Sequence, residues 1–164
     1  MRTKALIFGL LLFSIIGNAQ ISTTRMNELK IGMRVSEILK LYGNKPAAIA
    51  EGYDIKITVK GIDYLVSIGN GYLSKNEQDV YINSISTKNK NLITLSGLGV
   101  GSSLEDLWKA YSGKYNVLLS KSDQNMREFK IDDRDNGTLL NFKLKNEIVT
   151  EIELNSYNPE ECAL

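Results

Sequence analysis

The sequence predicts an α+β fold in which two tandem helix-plus-antiparallel-meander repeats share one sheet, with the helices on one face. Three observations support this prediction. Two amphipathic segments of the same spacing begin at Gly32 and Gly101, 69 positions apart. Each is followed by short segments in which apolar and polar residues alternate. Helices and strands come in blocks rather than in strict alternation, which is typical of an α+β domain and not of a parallel sheet.

Residues 1–19 have the layout of a secretory signal peptide. Arg2 and Lys4 precede a twelve-residue apolar run, Ala5 to Ile16, and Ala19 is a small residue just before the expected new N-terminus at Gln20. The run is shorter than the roughly 20 apolar residues that a spanning helix needs. We therefore expect a periplasmic or secreted protein, with no transmembrane segment after cleavage of the signal peptide.

Residues 20–164 are expected to form a single domain made of two repeats, at about residues 21–90 and 91–157. The full chain has 164 residues, with 20 Lys and Arg, 19 Asp and Glu, no His and one Cys. Removal of residues 1–19 leaves 18 basic and 19 acidic residues, a balance that argues against a nucleic-acid partner. Because Cys162 is the only cysteine, the domain cannot form an internal disulfide and must be stabilised by packing.

Each predicted helix carries one apolar stripe at the i, i+3, i+4 and i+7 spacing. The stripe residues are Val35, Ile38, Leu39 and Tyr42 in the first helix, and Leu104, Leu107, Trp108 and Tyr111 in the second. Helices this short are marginal alone, so the stripes must pack against another element. The aromatic members are therefore predicted to lie in the core.

The ends of the two helices carry recognisable signals. Ser102, followed three residues later by Glu105, predicts a capping box at the start of the second helix. Gly43 and Gly113 predict the ends of the two helices, because glycine adopts the left-handed conformation freely.

Six alternating segments are predicted to be strands, three after each helix. They are residues 54–60, 62–68 and 81–86 in the first repeat, and residues 126–131, 139–144 and 148–154 in the second. Residues 93–95 are expected either to add a short strand or to connect the two repeats.

The patterns that would indicate catalysis or metal binding are weak. The turn at residues 132–137 matches a calcium loop at Asp132 and Asn136, but Arg134 stands at the third ligand position, where a cation opposes the metal. Without His, a serine or cysteine nucleophile lacks its usual base. The sequence predicts that the protein is not an enzyme, with no catalytic residues, no cofactor and no metal site.

A family resemblance rests on the first helix. The segment that runs from Ile31-Gly32-Met33 through Glu37-Ile38-Leu39 to Tyr42-Gly43, followed by a loop and strands, resembles the repeat of β-lactamase inhibitory protein. It is also similar to the small outer-membrane lipoproteins of the barrel-assembly machinery, which carry one such unit. The resemblance implies a tandem-repeat sheet with helices on one face and a broad exposed face, which in the inhibitor grips a protein partner. The inhibitor's structural disulfides have no counterpart in this chain.

Strand alternation identifies the side chains that point away from the helices. The partner-binding residues predicted in this way are Lys56, Thr58, Lys60, Asn141, Lys143, Glu151 and Glu153. The leading hypothesis is an exported, non-catalytic protein-binding module of the cell envelope, whose partner is another envelope or secreted protein. The alternatives are a structural or assembly accessory of the outer envelope, a small-ligand binder or cryptic hydrolase, and a sheet face that is merely solvated.

Overall fold

The computed structural model describes residues 20–42, 54–70 and 80–156. The predicted signal peptide, Gly43 and Cys162 lie outside these residues. The helices and strands are β1 Arg25–Met26, β2 Leu29–Lys30, α1 Val35–Tyr42, β3 Asp54–Val59, β4 Ile62–Asn70, β5 Val80–Thr87, α2 Leu104–Tyr111, β6 Asn116–Lys121, β7 Met126–Asp133, β8 Thr138–Lys145 and β9 Ile148–Ser156.

Seven of these strands form one antiparallel sheet, in the order β3-β4-β5-β9-β8-β7-β6. The other two, β1 and β2, form a separate short hairpin. The centre of the sheet is the pairing of β5 with β9, in which Ile85 lies opposite Leu154. This pairing makes a single continuous layer of the strands that follow α1 and the strands that follow α2.

The core lies on one face of this sheet. One cross-strand row contributes an apolar residue from every strand: Val117, Ile131, Leu140, Leu154, Ile85, Val66 and Ile55. Alternation with period two makes this possible, because all residues of one row point to the same face. Met26 and Leu29 of the hairpin and Ile38 of α1 are buried in the same cluster.

Aromatic rings join α2 to the sheet. The Tyr111 ring stacks on Phe142 with a centroid distance of 6.1 Å, and the Tyr111 hydroxyl donates to Thr94 Oγ1 at 2.7 Å. The rings of Trp108 and Phe129 meet edge to face, with a centroid distance of 6.1 Å. The prediction that Tyr111 lies in the core is confirmed, but Trp108 is 47% exposed because its ring meets Phe129 only at the edge. The side chain of Tyr42 is not among those that the structure describes.

The predicted N-terminal capping box of α2 is displaced by one residue from the observed one. The N-cap is Ser103, whose hydroxyl accepts from the Asp106 backbone N–H, and the Asp106 carboxylate accepts from the Ser103 N–H. Ser102 is engaged elsewhere, since its hydroxyl accepts from the Gly99 N–H at 3.0 Å. Glu105 pairs instead with Lys109.

The end of α2 also differs from the prediction. The helix ends at Tyr111, and its C-cap Ser112 is right-handed with φ of −61°. Gly113 is not among the glycines with positive φ, so it does not provide a left-handed stop. The glycine that needs this freedom stands before the helix, where Gly101 has φ of 102°.

Three strands were not predicted. The hairpin strands β1 and β2 have two residues each, too few for a periodic pattern. The third, β6, contains a continuous Val-Leu-Leu run rather than an alternating one. As a result, four strands follow α2 as far as Ser156, where three were predicted.

Similar backbone hydrogen bonds hold the segment before each helix. The N–H of Gly32 donates to the Ile82 carbonyl, and the Ile82 N–H donates to the Met33 carbonyl, at 2.9 and 3.0 Å. Ahead of α2, the N–H of Gly101 donates to the carbonyl of Val149, whose own N–H donates to the carbonyl of Ser102, both at 2.9 Å.

Candidate functional site

The sheet face opposite the core is called the open face below. One row across it contains Lys130, Asn141, Glu153, Ser86, Leu65 and Lys56. A neighbouring row contains Glu128, Lys143 and Glu151. Ile38 of α1, Leu107 and Tyr111 of α2, and Met26 and Leu29 of the hairpin are buried in the core on the other face. The open face is therefore the broad polar surface of the molecule.

A network of charges lies at the centre of the open face. Nζ of Lys143 is 3.0 Å from Oε1 of Glu151 and 3.0 Å from Oε2 of Glu153. Nζ of Lys88 reaches Oε2 of Glu151 at 3.3 Å, and the Ser84 hydroxyl donates to Glu153 at 3.4 Å. These residues, the Lys143 network, link β8 and β9 to β5 and to Lys88 just beyond it.

The network shifts the pKa values of Lys143 and Glu151. Burial by itself would lower the pKa of Lys143 and raise that of Glu151. The hydrogen bonds of Lys143 to Glu153 and Glu151 outweigh burial, so the pKa of Lys143 is raised and that of Glu151 is lowered. Both groups are charged at neutral pH. A general acid needs a carboxyl with a raised pKa, so Glu151 is poorly suited to that role.

A second charged pair lies beside the Lys143 network. Oε2 of Glu128 is 2.8 Å from Nζ of Lys130, and this hydrogen bond lowers the pKa of Glu128. The side chain of Asn141 hydrogen-bonds the same carboxylate. Asn141 faces outward by register, yet it is only 4% exposed because longer charged side chains flank it on three strands.

A separate polar group lies on β3 and β4. Lys56 pairs with Asp63 at 2.8 Å, and the hydroxyl of Thr58 donates to the same carboxylate at 2.7 Å. These two contacts lower the pKa of Asp63. Lys60 stands in the turn after β3 with φ of 50°, and it pairs with Glu28 of the β1–β2 hairpin.

The structure places the sequence-predicted residues in three locations. Asn141, Lys143, Glu151 and Glu153 come together at the centre of the open face. Lys56 and Thr58 share this face but lie on β3, which β4 and β5 separate from β9. Lys60 is not brought to the other six, because its side chain is directed to the hairpin.

Four residues at the centre of the open face were not predicted from the sequence: Ser84, Lys88, Glu128 and Lys130. The signal for Glu128 and Lys130 was present, since they alternate with Phe129 and Ile131 on β7. Ser84 and Lys88 could not be found in this way. Their position depends on the pairing of β5 with β9, which no local pattern reveals.

Other kinds of site find little support in the described residues. No group of three or more His, Cys, Asp or Glu side chains that could hold a metal ion is found there. No helix among them is long and apolar enough to cross a membrane. A wide groove of about 550 Å³ lies between β2 and α1, where Lys30, Ile31, Gly32, Met33, Glu37 and Lys40 line it. Its open shape differs from the enclosed pockets that bury small ligands.

Comparisons of the chain with protein-family models, with curated proteins and with solved structures give no match.

Proposed function

We propose that this chain is an exported, non-catalytic protein-binding module of the cell envelope that recognises a partner protein through the open face. The observation that carries the proposal is the asymmetry of the sheet. One face is filled by the core, and the other presents the Lys143 network with the exposed side chain of Leu65 beside it. The partner is another envelope or secreted protein.

The chemistry of the open face favours recognition over catalysis. Its acidic side chains are paired with lysines at hydrogen-bonding distance, as in Lys143–Glu151 and Lys130–Glu128. Paired charges of both signs hold each other in fixed positions, so a partner meets a defined pattern of charge. Such patterns contribute mainly to specificity and to the rate of association.

We also propose that residues 20–156 contain two related units. Gly32 and Gly101, 69 positions apart, make the same type of hydrogen bond to a strand residue, Ile82 or Val149. Each of those strands has an irregularity in its ladder close to that point, opposite Ser67–Ile68 in β5 and opposite Lys143–Leu144 in β9. Two units that join their last strands would produce the observed sheet order.

Site-specific photocrosslinking in intact cells tests the binding surface. A photoreactive amino acid replaces Leu65 on the open face, and a matched variant carries it at Leu95, which is 88% exposed and lies outside the seven strands. We expect a discrete crosslinked species from position 65 that position 95 does not give. Equal labelling at both positions, or none at position 65, would refute recognition through this face.

Export has its own test. Fractionation of cells that express the full chain is expected to recover it outside the cytoplasm, with a mass that corresponds to a start at Gln20. Recovery of the uncleaved chain from the cytoplasm would contradict the export part of the proposal and leave the binding surface to be judged by the crosslinking result.

A further inference from the structure

The strand β6, Asn116–Lys121, ends the seven-stranded sheet on one side. Only β7 pairs with it in the described residues, so every second N–H and C=O of its backbone points away from the sheet. Such an edge is a template for pairing with another strand. Proteins protect such an edge with charged side chains or a proline on the strand, with a bulge, or with a covering helix or loop. The middle of β6 is Val117-Leu118-Leu119, and the only charge on this strand is Lys121 at its end.

Exposed apolar side chains concentrate at this edge. Leu118 is 55% exposed and points to the open face, whereas Leu119 is 43% exposed and points to the core face. Leu119 lies opposite Phe129, which also touches the half-exposed Trp108. Tyr115, just before β6, is exposed to a similar degree. The edge therefore has apolar side chains on both faces, which is what an added strand would cover.

We propose that β6 is a dimerisation edge, at which a second copy of this chain adds its own β6 antiparallel and extends the sheet. A two-fold axis normal to the sheet keeps both open faces on the same side. Residues that lie opposite each other then point to the same face. The residue at the two-fold axis pairs with the same residue of the second copy. Closed two-fold dimers are the commonest homo-oligomers.

The register centred on Leu118 suits the sequence of this strand. It places Leu118 opposite Leu118 of the second copy on the open face. On the other face it places Val117 opposite Leu119, and at each end Lys121 opposite Tyr115, where an ammonium can rest on an aromatic ring. No charged residue of β6 then faces a like charge, and apolar residues meet apolar residues on both faces. This self-complementarity selects a second copy as the occupant, and the inference does not depend on the partner proposed for the open face.

Symmetric disulfide trapping tests the register. In a chain that begins at Gln20 and carries Cys162→Ser, the variant Leu118→Cys puts two cysteines directly opposite each other, about 5 Å apart at Cβ. The matched variant Ser120→Cys lies on the same face of the same strand, but its two cysteines are about 13 Å apart along the strands. We expect rapid formation of a covalent dimer from Leu118→Cys under mild oxidation and at least a tenfold slower reaction from Ser120→Cys.

Light scattering and sedimentation test the dimer without cysteines. We expect a dissociation constant between about 1 µM and about 100 µM. The parent chain should therefore shift from monomer to dimer as its concentration rises through this range. Leu118→Lys, which opposes two ammonium groups at the axis, is expected to weaken dimerisation more than tenfold, and Leu95→Lys to leave it unchanged. Circular dichroism checks that both variants fold. A parent chain that stays monomeric throughout, fibres instead of dimers, or equal trapping of both cysteine variants would overturn the proposal.

Discussion

Replacement of Lys143 by Met is expected to destabilise the fold by about 2 kcal/mol near neutral pH. The side chain is 31% exposed and makes two charged hydrogen bonds of 3.0 Å. Because this exposure is intermediate between that of a surface ion pair and that of a buried one, each bond is expected to stabilise the fold by about 1 kcal/mol. Glu151 and Glu153 repel each other in the parent and in the variant alike, so their repulsion does not add to the difference. Methionine keeps the apolar stem, so the change isolates the charge.

The pH dependence of this loss has a defined sign. The folded pKa of Glu151 lies below its ordinary value of 4.5, so its contribution is complete above that value and is lost as the pH falls through the lowered pKa. The pKa of Lys143 lies above 10.5, so its contribution is complete below 10.5 and is lost as the pH rises through the raised pKa. The difference between parent and variant should therefore be largest between these limits and should shrink as the pH falls below the lower one.

Urea unfolding followed by the fluorescence of Trp108, the single tryptophan, measures the difference. The matched control is Lys145→Met on the same strand and the same face, since no ion pair of Lys145 is found in the described ranges. We expect a loss of at most about 0.5 kcal/mol for this control, as at an ordinary surface position. The network does not stabilise the open face if Lys143→Met lowers the unfolding free energy no more than Lys145→Met does. The same conclusion follows if the loss from Lys143→Met is equal at neutral and at acid pH.

Three further changes test the packing and the backbone. Ser103→Ala should cost about 1 kcal/mol of unfolding free energy because it removes the N-cap of α2, whereas Ser112→Ala at the other end should have little effect. Gly101→Ala should cost at least about 1 kcal/mol because φ is 102° there, and Gly113→Ala, with no positive φ and open space around it, should be neutral or slightly stabilising in the same urea titration. Phe142→Ala should cost about 3 to 5 kcal/mol, since this ring is fully buried; a loss below about 1 kcal/mol would contradict the described core.

The parts of the fold that could be predicted from the sequence are those that a local pattern determines. The stripe of α2 is periodic enough to reveal the helix, and the alternation of β7, β8 and β9 reveals three strands. The cap of α2 could not be predicted with certainty because Ser102 and Ser103 are adjacent and each is followed three residues later by a carboxylate. The hydrogen bonds of the folded chain decide between them, since Ser103 exchanges bonds with Asp106 while Ser102 accepts from the Gly99 N–H.

The candidate site was predictable in part for the same reason. Glu151 and Glu153 share a face because they are two residues apart on one strand, and Lys143 follows from the alternation of β8. The burial of Asn141 and the contact of Lys88 with Glu151 depend on which strands are neighbours. Strand β6 was missed because an edge strand need not alternate when both of its faces are exposed.

The seam between β5 and β9 has a consequence for how the chain folds. Ser84 pairs with Asn155, so the middle of the sheet joins residues far apart along the chain, and the closure entropy of that long loop must be overcome before the seam gains any contacts. Pairing of this kind slows folding. Until β9 pairs with it, β5 is an unpaired edge of the strands β3, β4 and β5. A chain cut before Ile148 would lack the strand that lies between β5 and β8. The nine residues of β9 thus join the two halves of the sheet.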